Sequence, residues 1–268
     1  MTRTETLAEG VTCILGDCRE VLPTLGKVDC IISDPPYGQK QNTNVVHAGG
    51  VRVVTPPGCG ARAALNAARA RTTGALHSVG LATVWPDEIF GDDEPFDPAL
   101  CLRIADRVLL WGAHKFSDRL SSGSWLVWDK VPTGKVRDQG DGEAAWINDD
   151  PPRPLRIFRL LWDGVCVGSA ARNEVTAGQS RVHPTQKPLA LMDWCFEQMR
   201  VSARATVCDP YMGSGSTGVV AVRRGHPFVG IEYEPLYFET ACRRISEALK
   251  QPDMFIEKPK PAKQEAFL

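Results

Sequence analysis

"ATVCDPYMGSGSTG", residues 205–218, is the stretch on which the fold turns. A short apolar run stops at an acid, a glycine-rich bend follows, and a helical pattern opens at about 216. Gly213, Gly215 and Gly218 fit the spacing GxGxxG. Glu232, closing the next apolar run "PFVGIE" (227–232), lies 232 − 213 = 19 residues further on. This is the outline of a nucleoside-binding strand–turn–helix: glycines let backbone approach a ligand, and the acid is placed for ribose hydroxyls. No lysine follows the last glycine, which excludes a P-loop. Taken alone, the bend does not separate NAD from another nucleoside cofactor. Asp209 bears on that choice, because a carboxylate at the mouth of the loop repels a pyrophosphate and attracts the ammonium or sulfonium of S-adenosylmethionine.

Outward from this junction the pattern repeats. The runs "VTCIL" (11–15), "VDCIIS" (28–33), "RVLLWG" (107–112) and "SWLVW" (124–128) read as buried strands. Helical patterns occupy 97–105, 187–200, 216–224 and 235–249. Alternation of this kind predicts an α/β protein with a doubly wound, mostly parallel sheet, whose ligands sit beyond the carboxyl ends of the strands. Asp34 and Asp209 both fall at such ends. The 268 residues suit one domain, taken here as 1–250, with a mobile tail over 251–268. Net charge is −1, so any nucleic-acid surface must be local. Nine cysteines without a CxxC argue against a disulfide framework or a zinc site, and no metal is expected. The opening residues carry no apolar signal core, and no apolar run approaches a membrane span. The expectation is a soluble, cytoplasmic protein.

The second informative stretch is "IISDPPYGQK" (31–40). Two prolines after a strand make a stiff corner with free carbonyls. Asp34 adds an acceptor and Tyr37 a flat aromatic face. Together they suit a planar group bearing an N–H₂, such as the exocyclic amine of adenine. Hydrogen bonds from both amino protons to Asp34 and the Pro35 carbonyl would aim the nitrogen lone pair at a methyl donor. Such a base must leave the duplex, and stacking on Tyr37, worth about 1–3 kcal/mol, would offset much of that cost.

These pieces resemble the β-class DNA amino-methyltransferases, which use S-adenosylmethionine. "DPPY" (34–37) is similar to the family's catalytic motif and "DPYMGSGS" (209–216) to its cofactor loop. "HPTQKP" (183–188) matches a further motif, and "GDC" (16–18) resembles the segment near the cofactor adenine. The catalytic motif precedes the cofactor loop by 209 − 34 = 175 residues, the β-class permutation. The resemblance implies a Rossmann-like methyltransferase fold with circularly permuted motif order and inserted DNA-recognition segments. It implies that Asp34, Pro35, Pro36 and Tyr37 form the catalytic corner, with Asp34 also bordering the cofactor. Asp209, Tyr211, Gly213, Ser214 and Gly215 would line the methionine part, Glu232 the ribose, and Asp17 and Cys18 the adenine. Thr185 and Lys187 would meet the cofactor carboxylate, with Thr185 also able to cap the following helix. Tyr211 stands where the family usually has Phe, and Ser216 where it has Thr. Asp rather than Ser before the prolines points within the family to N6 of adenine rather than N4 of cytosine. The implied partner is double-stranded DNA, and family members are often homodimers. A protein-glutamine methyltransferase usually has Asn at the position of Asp34 and the opposite motif order, and an NAD-dependent oxidoreductase leaves "DPPY" unexplained.

Two segments are candidates for DNA recognition. Residues 38–82 carry Lys40, Arg52, Arg62, Arg69 and Arg71 and no acid, within a candidate insertion at 38–95. A second, 130–182, is rich in Arg, Gly and Pro and holds Arg153, Arg172 and Arg181. Arginine binds phosphates or reads guanine edges. Phe158 and Trp162 read as core, and "WGAHKF" (111–116) as scaffold beside the base pocket.

Overall fold

The computed structural model describes residues 2–38, 45–48, 51–54, 91, 92, 94–131, 140–160 and 186–251. Their strands are β1 (Arg3–Ala8), β2 (Val11–Leu15), β3 (Val28–Ser33), β4 (Val45–Ala48), β5 (Val51–Val54), β6 (Ala105–Trp111), β7 (Ser124–Asp129), β8 (Gly142–Ile147), β9 (Arg156–Arg159), β10 (Val207–Asp209) and β11 (Phe228–Glu232). The helices are α1 (Cys18–Val21), α2 (Ala99–Ile104), α3 (Leu189–Met199), α4 (Ser216–Arg223) and α5 (Pro235–Lys250).

One sheet runs β1-β2-β11-β10-β3-β6-β8-β7-β9, and within it β1 and β8 alone oppose the other strands. The central strands are apolar without alternation because both faces are covered. Ile32, Leu109 and Trp111 face the layer built with Leu191, Cys195, Phe238 and Ile245 from α3 and α5. Ile31, Val108 and Leu110 face the opposite layer, with Val21, Cys101, Phe96 and Phe116. α4 and α5 approach closely because Gly218 has no side chain: a Cβ there would lie 2.5 Å from Ile245 Cδ1 and 2.7 Å from Phe228 Cε1. This is the class I, Rossmann-like methyltransferase architecture, as expected from the alternation of runs.

The chain order sets the position of the site. β10 lies between β11 and β3, with Val207 paired to Cys30 and Cys208 to Ile31 in parallel register. The residues that end β10 and β3 therefore emerge side by side. This is the switch point at which ligands collect in open α/β sheets.

Within the 130–182 segment, the part at 140–160 contributes β8 and β9 to the main sheet. "GEAAWI" and "RIFR" are short and mixed in polarity, so neither gave a buried-strand signal. β1, "RTETLA", was missed for the same reason; it is a largely exposed edge strand. In the other segment β4 and β5 form a separate hairpin, Val45 opposite Val54. Phe158 packs on Trp194 with ring centroids 5.3 Å apart, as core. The helix after "HPTQKP" has Pro188 at its N-cap; the capping role expected of Thr185 falls outside the described residues. The seven described cysteines are reduced and buried. Among the described residues no helix is long and apolar enough to cross a membrane.

Candidate active site

The tips of β2, β3, β10 and β11 converge. Ser33, the last residue of β3, donates its hydroxyl to Asp209 Oδ1 at 2.6 Å, across the β3–β10 boundary. Asp209 also accepts Tyr211 N–H at 3.2 Å. It is only 3% exposed, and burial pushes its carboxyl up to about 6 despite these donors and Thr217.

The glycine bend is stabilised from the neighbouring strand. Glu232, at the tip of β11, accepts Gly213 N–H at 2.7 Å and Glu234 N–H at 2.9 Å. Burial, added to by the nearby Asp209, raises its carboxyl to about 7. Gly215 caps α4 at φ 80°, in the left-handed region, and a Cβ there would meet Ala241 Cβ at 2.9 Å. Glycine is needed on both counts. Arg244 of α5 donates to the Ser214 carbonyl and, at 2.8 Å, to its hydroxyl. Burial lowers this guanidinium to about 10.

At the tip of β2, Asp17 accepts Arg19 N–H at 2.9 Å, capping α1, and grips the Arg19 guanidinium at 2.7 Å. Arg19 holds the Asp17 carboxyl below the usual range. The buried Cys18 thiol, raised by desolvation to about 11, hydrogen-bonds with the Tyr211 hydroxyl. The "GDC" segment is thereby joined to the glycine bend.

The proline corner stands beside this group. Tyr37 donates its hydroxyl to Asp34 Oδ1, and its backbone N–H reaches the buried Asp92 at 3.0 Å. The ring lies on Gly112, where a Cβ would come within 1.9 Å of Tyr37 Cε1. "WGAHKF" is thus scaffold to the corner, as expected. Burial, reinforced by Asp34, pushes the Tyr37 phenol well up.

Lys187 lies between the two halves of the site. Its ammonium, 7% exposed, pairs with Asp34 Oδ2 and stands 3.1 Å from Glu143 Oε2. Lys130 holds Glu143 Oε1 at 2.6 Å. The four charges balance. Burial would raise the Glu143 carboxyl, but Lys187 and Lys130 outweigh it and draw it down to about 2. The Lys187 carbonyl accepts the Ser216 hydroxyl at 3.0 Å, tying "HPTQKP" to the start of α4.

Asp17, Cys18, Asp34, Tyr37, Lys187, Asp209, Tyr211, Gly213, Ser214, Gly215 and Glu232 are therefore brought together, and Pro35 and Pro36 with them. Thr185, Lys40, Arg62, Arg69, Arg71, Arg172, Arg181 and Trp162 lie outside the described residues, and Arg52 is described only as part of strand β5. Arg153 stands elsewhere: it donates to Asp149 at 2.7 Å and to the Gln198 carbonyl at 2.8 Å. That carbonyl is near the C-terminus of α3, an eleven-residue helix about 16 Å long whose N-terminal end carries Lys187. Arg153 acts there as a tie between α3 and the β8–β9 connection. Sequence reasoning missed Ser33, Asp92, Gly112, Lys130, Glu143 and Arg244. Of these, Glu143 and Lys130 left one signal, charges flanking tryptophan-bearing apolar runs.

A glycine bend at a strand tip, acids on the neighbouring tips and a second acidic corner across a shared boundary make up the candidate site. Residues 155–243 match the DNA methylase family N6_N4_Mtase, which bears out the resemblance read from the motifs. The chain is 41% identical over 126 residues to the type II methyltransferase M2.DpnII of Streptococcus pneumoniae, covering 45% of this chain and 41% of that one. It is 37% identical over 90 residues to the type II methyltransferase M2.LlaDCHI of Lactococcus lactis subsp. cremoris, covering 32% and 30%. The matched stretches thus span less than half the length of these curated relatives. A crystal structure of an M1.HpyAVI–SAM complex aligns over 87% of this chain and 98% of its own at 19% identity, TM-score 0.46.

Proposed function

We propose that this protein is a site-specific DNA methyltransferase that transfers the methyl group of S-adenosylmethionine to N6 of an adenine turned out of the duplex. The observation that carries the reading is the contact between Ser33 and Asp209, which sets the corner at Asp34 beside the glycine bend. The site chemistry fits the cofactor. Two buried carboxylates, Asp209 and Glu232, disfavour a pyrophosphate and favour a cationic amino-acid end and ribose hydroxyls. Asp209, Gly213 and Gly215 would hold the methionine part, Glu232 the ribose, and Asp17 and Cys18 the border of the adenine. When bound, the cofactor supplies a methyl carbon open to attack by an amine lone pair, its former bonding electrons remaining on sulfur.

The chain's own residues do the rest. Asp34 and the Pro35 carbonyl accept hydrogen bonds from the amino group and so aim the nitrogen lone pair, and the one proton the nitrogen loses on methylation passes to Asp34 or to water. Tyr37 steadies Asp34 through its hydroxyl and offers its ring to the base. Lys187 pairs with Asp34 and so holds the orientation of its carboxylate. Duplex DNA is the partner, and the 38–95 segment and the Arg-bearing end of 130–182 are its recognition elements. N4 of cytosine is the second reading, since both targets are exocyclic amines; Asp before the two prolines favours adenine.

The test is incubation of the protein with methyl-labelled S-adenosylmethionine and mixed-sequence duplex DNA, followed by mass analysis of the nucleosides. N6-methyl-2′-deoxyadenosine is the expected product, and N4-methyl-2′-deoxycytidine would reassign the base. Asp34→Ala should abolish transfer while retaining cofactor binding, because Glu143 remains as counter-ion to Lys187. Normal transfer by that variant would overturn the catalytic assignment.

A further inference from the structure

Lys187 poses a difficulty for Asp34. If Asp34 is to accept a proton of the target amine, as the proposed function requires, it must loosen its hold on a buried ammonium. A buried cation left without a partner is strongly disfavoured. Glu143 lies where a second partner is needed. On β8 it pairs in register with Trp128 of β7. Ala145, two residues on, pairs with Trp111, the last residue of β6. Side chains alternate along a strand, so Glu143 and Ala145 share a face, and Glu143 stands beyond the tip of β6 on the side of the site.

The two oxygens of Glu143 have different roles. Oε1 is held by Lys130 at 2.6 Å, and the Lys130 ammonium in turn lies 4.8 Å from the Trp128 ring centroid. Oε2 lies 3.1 Å from Lys187 Nζ, in an ion pair with the same cation that Asp34 must release.

We infer that Glu143, anchored by Lys130, is a positioning residue that shares the Lys187 ammonium with Asp34, so that Asp34 can turn an oxygen to the target amine without stranding a buried cation. The inference rests on the proposed function and deepens it: the motion is a redistribution of one ammonium between two carboxylates, with no change in net charge. Without Glu143, Lys187 has Asp34 as its one carboxylate side-chain partner among the described residues and holds it back from the substrate. The cost then falls on the chemical step rather than on cofactor or DNA affinity.

The experiment measures kcat for methyl transfer at saturating DNA and cofactor, and cofactor affinity by calorimetry, on the full chain. In Glu143→Gln, kcat should fall about 100-fold, the penalty typical of a reacting group misplaced by about 1 Å, with cofactor affinity little changed. Glu143→Asp should recover part of the rate. Because Glu143→Gln leaves buried lysines in excess and could fail to fold, the deciding variant is the double substitution Glu143→Gln with Lys130→Met, which removes one charge of each sign. A double variant that is folded, binds cofactor and remains slow supports the positioning role. A double variant with wild-type kcat overturns it, since Glu143 would then serve only charge balance, and so does a wild-type kcat in Glu143→Gln. Failure of the wild-type protein to methylate DNA at all would instead overturn the proposed function, which keeps the two failures distinct.

Discussion

Gly112 offers a sharp test of the corner's geometry. It adopts φ 69°, and a Cβ built on it lies 1.9 Å from Tyr37 Cε1, 2.3 Å from Cζ and 2.6 Å from Cδ1. Ordinary contact begins at 3.4 Å, so Gly112→Ala forces the ring back by 3.4 − 1.9 = 1.5 Å. The Tyr37 hydroxyl cannot follow that movement and keep its bond to Asp34. A displacement of about 1 Å in a reacting assembly costs on the order of 100-fold in rate, so kcat for methyl transfer should fall at least that far. The three atoms nearest the new Cβ all belong to Tyr37, so cofactor affinity measured by calorimetry should hold. Left-handed backbone adds a separate penalty for alanine of about 1–2 kcal/mol. Gly140→Ala isolates that penalty: Gly140 has φ 77° with nothing among the described residues within 4 Å of its virtual Cβ. Its expected result is a lower melting temperature with full kcat. A folded Gly112→Ala variant with wild-type kcat would refute the placement of Tyr37 at the reaction centre.

Three further outcomes follow from the same geometry. Asp209→Asn should lose cofactor binding yet stabilise the ligand-free protein at pH 8. The native carboxyl is raised from 3.8 to about 6, so its ionisation opposes folding by about 3 kcal/mol at pH well above 6. That penalty fades as pH falls from 6 towards 3.8, so the gain in unfolding free energy should shrink to nothing near pH 4; a pH-independent difference would count against a buried titrating Asp209. Lys187→Met removes the cation between Asp34 and Glu143 and should lower stability by about 3–5 kcal/mol, read as a reduced urea midpoint. Gly218→Ala inserts a methyl against Ile245 and Phe228 and should cost about 1–3 kcal/mol with weakened cofactor binding; an unchanged melting temperature would argue against close α4–α5 packing.

Legibility in the sequence tracked how a residue's role is encoded. The parallel core was readable because its strands are continuous apolar runs: 11–15 and 28–33 were delimited as they occur. The glycine bend was readable because backbone angles restrict which residues fit, and Asp34 and Asp209 because strand ends in this architecture collect function. β8 was not readable. Its first half carries Glu143 and small residues, and only the antiparallel pairing with β6 and β7 makes it a strand. The partners of Lys187 were hidden for a related reason. Asp34 lies 153 residues away in sequence, and no local pattern announces a pairing that exists only once the sheet has formed. Arg153 shows another hidden pairing: its contacts to Asp149 and to the Gln198 carbonyl were invisible as partners in sequence.

The same pairing explains why permuting the motifs does no harm to the site. What a methyl transfer of this kind needs is adjacency of two strand tips, and hydrogen bonding of β10 to β3 supplies it whatever the order in which the chain visits them. Ser33 then reads the presence of Asp209 directly, and the Lys187 backbone, bonded to Ser216, fixes the ammonium beside Asp34 while its carbonyl holds the start of α4. The glycine bend and the Asp34 corner are therefore locked by short contacts on both sides of the β3–β10 boundary. Ser33→Ala breaks the first of these and leaves Asp209 with fewer donors. The Asp209 carboxyl should then rise further above 6, and cofactor affinity should become more sensitive to acid than in the wild type. Calorimetric affinities measured between pH 6 and 8 would decide it. Parallel pH profiles for the two proteins would mean that the tips are neighbours without being coupled.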